Sequence, residues 1–141
     1  MSTNPFAGNW TYRSLLNDPD GSKPFNDLEF GEGTLSIAEV NSTTLGGTIG
    51  GPGWSLNLHG SFGYGSPMQV RFQGKGVVSG AEWIYDYIGW LVPVWPNSDD
   101  TLQGVSMVGS IVRTIPHPTG KDGKAIAPAG VVASWYAVKL S

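Results

Sequence analysis

The residues of this chain best suited to chemistry fall in three short stretches. In the first, His59 alternates with Ser55, Asn57 and Ser61, and Arg71 alternates with Gln69 and Gln73 a little further on. At a spacing of two, each set shares one face of a strand. Neighbouring strands would gather them into a polar surface that is either solvated or the lining of a lumen. A shift of one residue exchanges the two faces, so both readings stand. In the second, Glu82 and Asp86 lie four apart, among Ile84, Ile88 and Trp90. A carboxylate in apolar company is partly desolvated, which raises its pKa as general acid–base work requires. The same carboxylates could instead form a structural ion pair with Arg71 or Arg113. The third holds Trp83, Tyr85 and Tyr87, alternating along one strand face about 7 Å apart. Such a row can enclose a flat apolar molecule, with phenol hydroxyls orienting its polar end, or it can fill a dry core.

Other chemistries find little support. The two histidines, His59 and His117, lie on separate segments and the chain has no cysteine. No metal and no cofactor are therefore expected, and a heme ligand from either histidine lacks a motif. Gly104-Val105-Ser106-Met107-Val108-Gly109 lacks the spacing of a nucleophile elbow. The glycine-rich runs at residues 31–33 and 46–53 precede no helix, so a phosphate cradle is not expected.

The elements that must position these residues are strands. The 141 residues include 21 glycines and 10 prolines, and charged residues make up only 13%. So many breakers exclude a helical bundle, and 11% aromatic content excludes disorder. Eight segments rich in Val, Ile, Thr, Trp and Tyr recur between turn clusters. They run over residues 10–16, 33–40, 44–49, 54–62, 68–77, 82–92, 104–114 and 130–140. The fourth places Trp54, Leu56, Leu58 and Phe62 on one face. The fifth sets Met68, Val70 and Phe72 against Gln69, Arg71 and Gln73. Short links between eight strands predict one domain over residues 1–141. Its fold class is all-β, an eight-stranded antiparallel up-and-down β-barrel, in which closure removes the open edges. A sandwich or jelly roll is the alternative, with only residues 17–31 and 115–129 long enough to cross. The second of these links could form a lid over a barrel mouth or a long turn.

Phe6-Ala7-Gly8-Asn9-Trp10 places a Gly-x-Trp just before the first strand. With two further motifs, it resembles the calycins, the superfamily of lipocalins, fatty-acid-binding proteins and avidins. Leu45-Gly46-Gly47-Thr48 is similar to the second-hairpin pattern of avidins, and residues 84–90 with Val108-Gly109-Ser110 resemble their late strands. The resemblance implies a barrel with Trp10 plugging one end under a late basic residue, Arg113 or Lys139. Counterparts of the avidin polar set for biotin are missing, so that ligand is not implied.

The expected function is the binding of a small apolar or aromatic ligand, with Trp83, Tyr85, Tyr87, Asp86, His59 and Arg71 as candidate contacts. The alternatives are a barrel enzyme of isomerase, cyclase or lyase type, using Asp86 or Glu82 with a Tyr or His59, and an assembly protein whose barrel is filled. Strands six to eight carry apolar residues on both faces, including Ile84, Ile88 and Trp90 opposite the Trp–Tyr row. This predicts a homo-oligomer built through them. A net charge of −3 with no basic stripe argues against nucleic acid and anionic membrane as partners. Residues 1–10 lack the features of a signal peptide, so a cytoplasmic location is expected.

Overall fold

A computed structural model describes residues 4–92, 94, 103–119 and 123–140. Eight strands close into an antiparallel barrel: β1 (Gly8–Leu15), β2 (Glu29–Glu39), β3 (Thr44–Gly51), β4 (Trp54–Gly63), β5 (Gln69–Val78), β6 (Ala81–Val92), β7 (Ser106–Arg113) and β10 (Val132–Val138). Each strand pairs with its neighbour in sequence around the wall, and β10 returns to β1. The link between β7 and β10 holds a small hairpin of β8 (His117–Thr119) and β9 (Ala125–Ala127). A 3-10 turn at Phe25–Leu28 lies in the link after β1. Among the described residues no helix is long and apolar enough to cross a membrane.

The all-β barrel expected from the alternating pattern is present, with strand ends differing by a few residues. The barrel settles which faces turn inward. Leu56, Leu58, Phe62, Val70 and Phe72 are buried in the lumen, while His59, Arg71 and Gln73 stand exposed on the outer wall. A hydrophobic interior decides the phase, because the apolar face of each strand gains most by leaving water.

The lower half of the lumen is filled. Phe6 stacks on Phe62 with ring centres 6.0 Å apart, and the Trp10 indole N–H donates to the Phe6 carbonyl at 2.9 Å. Lys139 lies over the Trp10 ring, its Nζ 5.7 Å from the ring centre, and donates to the Pro5 carbonyl at 3.1 Å. Of the two basic residues implied by the calycin resemblance, Lys139 therefore holds that place, and Arg113 sits at the opposite end. At mid-height Trp135 meets Tyr12, Phe72 and Tyr87, each 6.1–6.2 Å away. It fits because residue 89 is glycine: a Cβ there would come within 2.5 Å of the Trp135 ring.

Candidate functional site

The upper half of the lumen is not filled. A cavity of about 250 Å³ lies there, lined by Tyr12, Ser14, Phe30, Trp54, Leu56, Trp83, Tyr85 and Tyr87. Alternation on five of the strands supplies most of the lining. Trp10, Tyr12 and Ser14 share the inward face of β1, and Trp83, Tyr85 and Tyr87 that of β6. Phe30 arrives by a different route. Ser14 faces Gly31 and Leu15 faces Glu29, so Phe30 is the extra residue of a β-bulge. Bulges re-aim side chains, and this one carries Phe30 edge-on to Tyr85, 6.1 Å between ring centres.

Polar groups inside the cavity are few. Burial pushes the phenols of Tyr12 and Tyr87 well above the ordinary tyrosine value, so both stay neutral. Hydrogen bonds from Ser14 and Tyr87 oppose the burial effect at Tyr12. The Trp83 indole N–H is buried without an acceptor. An unpaired buried donor costs about 1–3 kcal/mol, and a ligand acceptor would recover it.

A hydrogen-bonded network that the spacing did not predict surrounds the Tyr85 hydroxyl. His117, at the start of β8, is 4% exposed and stacks on Trp83 with ring centres 4.1 Å apart. Its Nδ1 lies 3.0 Å from the Pro118 carbonyl, which can only accept, so Nδ1 carries the proton. Nε2 is then the acceptor in the neutral ring, and the Tyr85 hydroxyl donates to it at 2.8 Å. Arg113 Nε donates to the same Tyr85 oxygen at 3.1 Å, and Nη1 donates to the Pro128 carbonyl at 3.1 Å. The guanidinium also covers Phe30, 5.0 Å from its ring centre.

The six candidate contacts do not form one site. Trp83, Tyr85 and Tyr87 line the lumen. Asp86, His59 and Arg71 lie together on the outside, along a groove of about 490 Å³ shared with Gln73, Ile88, Val112 and Val132. Register accounts for the grouping: His59 faces Gln73, and Gln73 faces Asp86. The ion pairs expected of the two carboxylates are replaced by other contacts. Asp86 accepts from Thr114 Oγ1 at 2.6 Å, and Glu82 pairs with Lys75 at 3.7 Å. Their apolar neighbours Ile84, Ile88 and Trp90 lie on the outer wall, so apolar company brought no carboxylate into the lumen.

Tyr12, Ser14, Phe30, Trp54 and His117 were missed as site residues. Tyr12 and Ser14 carry a usable signal, since they alternate with Trp10 and any plug role for Trp10 places them inside. His117 carries none, because its position depends on a hairpin docking back on the barrel. Comparisons with protein-family models, with curated proteins and with solved structures find no match, so the reading of this site rests on its geometry.

Proposed function

We propose that the barrel binds one small, flat, largely apolar molecule in the upper lumen. The observation that carries this reading is a cavity of about 250 Å³ walled by aromatic rings, with an unpaired indole N–H among them. Ligand pockets combine apolar walls with a few placed polar groups; this volume lies just below their usual range, about 300–1,000 Å³. A one-ring or two-ring molecule fits. The resemblance to calycins, whose barrels hold small ligands, points the same way.

Indane, a flat bicyclic hydrocarbon, tests the reading. It should bind at one molecule per chain, quench tryptophan fluorescence and raise the melting temperature with concentration, as any ligand selective for the folded state must. Leu56→Trp, which fills the cavity, should abolish these effects. Absence of binding to the wild-type protein would remove the proposal.

We also propose that the outer wall of β6, β7 and β10 meets a second copy of the chain. Trp90 is 39% exposed and Val132 56% exposed, beside the half-buried Ile88, Val108 and Val112. The adjacent groove carries both Arg71 and Asp86. A two-fold contact reuses one patch on both subunits, so a cation and an anion within that patch can each meet the other's counterpart.

A further inference from the structure

We infer that the upper lumen catalyses enolisation, with Tyr85 exchanging a proton at the carbon next to a ligand carbonyl and Trp83 binding the carbonyl oxygen. This rests on the proposed lumen binding and adds a reaction to it. Three observations support it together. Tyr85 lines the cavity, and its hydroxyl is held between a donor, Arg113 Nε, and an acceptor, His117 Nε2. Trp83, two residues before it on the same strand face, offers a buried N–H with no partner. The surrounding walls are mostly apolar, with Phe30, Trp54 and Leu56 among them.

The step balances without a cofactor. The substrate C–H bond breaks and an O–H bond forms at Tyr85, while the original Tyr85 proton passes to His117 Nε2. The C–H electron pair becomes the enolate double bond, and the carbonyl π pair moves to oxygen. The Trp83 N–H donates to that oxygen as its charge develops, which is how oxyanion donors lower a barrier. Arg113 stabilises negative charge on the Tyr85 oxygen during the transfer. Return of a proton, to the same carbon or to a conjugated one, gives exchange or isomerisation. Tyr85 touches the substrate and relays the proton; His117, acting through it, is the base that ends the step protonated.

The substrate class is a compact, planar carbonyl compound with an acidic neighbouring C–H. Its probe is 2-indanone, followed in deuterium oxide by proton NMR, with indane binding measured in parallel. The wild-type protein should exchange the ring CH2 protons faster than buffer alone. His117→Gln keeps an acceptor for Tyr85 but cannot take the proton, and should lose roughly a hundredfold in exchange, within the usual range for acid–base groups. Trp83→Phe keeps an aromatic ring but loses the N–H, and should lose a similar factor. Exchange is read at saturating 2-indanone, so that a change in affinity alone does not lower it. Tight binding of indane and 2-indanone with exchange at the buffer rate would overturn the inference and leave lumen binding intact. So would undiminished exchange in His117→Gln or Trp83→Phe. Failure of both molecules to bind would overturn the two readings together.

Discussion

The Tyr85 hydroxyl donates to His117 Nε2 across 2.8 Å, joining two residues 32 positions apart in the chain. One belongs to the barrel wall and the other to the β8–β9 hairpin. Stacking of His117 on Trp83 adds a second attachment on the same strand. Among the described residues, β8 and β9 pair only with each other.

Tyr85→Phe should therefore loosen the hairpin more than the barrel. The substitution deletes one donor and leaves His117 Nε2 and Arg113 Nε without their partner. The expected cost is about 1–3 kcal/mol. Hydrogen exchange should show faster amide exchange at residues 117–119 and 125–127, with β4 and β5 unchanged. A uniform loss of protection around the barrel would mean that Tyr85 serves the core rather than the hairpin.

Gly89→Ala should destabilise the barrel by about 1–3 kcal/mol, because its methyl would meet the Trp135 ring at 2.5 Å. Trp135→Phe, which shortens that ring, should recover part of the loss in the double variant. Urea unfolding of the four proteins gives the coupling.

Stability should fall above pH 10. The Tyr12 and Tyr87 phenols titrate higher in the folded protein than in the unfolded chain, whose ordinary value is 10.0. Between those two values the unfolded chain has released its protons and the folded one has not, so rising pH favours unfolding. The contribution is whole below pH 10 and is lost at about 1.4 kcal/mol per pH unit for each phenol. Unfolding midpoints at pH 9, 10 and 11 measure it, and Tyr12→Phe should remove about half of the slope.

Trp90→Lys should dissociate the proposed assembly while leaving the barrel folded. A charge buried without a partner at an interface is strongly disfavoured. Light scattering should give a larger mass for the wild type than for the variant. A wild-type monomer at high micromolar concentration would end the proposal.

The barrel was legible because most strands alternate cleanly: Trp54, Leu56 and Leu58 against Ser55, Asn57 and His59 leave little choice of element. The inward row Trp83, Tyr85 and Tyr87 followed from the same spacing. Asp86 was harder to place. On β6 both faces are apolar, so the neighbours Ile84 and Ile88 did not report burial. His117 stayed hidden for another reason. It comes between two prolines in a link, and only the pairing of β8 with β9 turns it toward Trp83. Tyr85 itself was legible, but not the use of its hydroxyl, which depends on groups from β7 and β8.

The seam between β1 and β10 ties together residues far apart in sequence; the Val138 amide donates to Thr11 Oγ1 across 127 positions. Every other join in the wall is between strands adjacent in the chain or, for β7 and β10, separated by the hairpin link. Local pairings close cheap loops, whereas this one closes the largest loop available, and such contacts slow folding. Assembly then resembles the rolling of a sheet whose first edge must wait for its last. Until β10 arrives, β1 has an unpaired edge with Trp10, Tyr12 and Ser14 uncovered, and that edge can template association with other chains. A permuted chain that joined residues 8 and 140 by a short linker and opened at Ser79–Gly80 would turn the seam into a hairpin and shorten that wait.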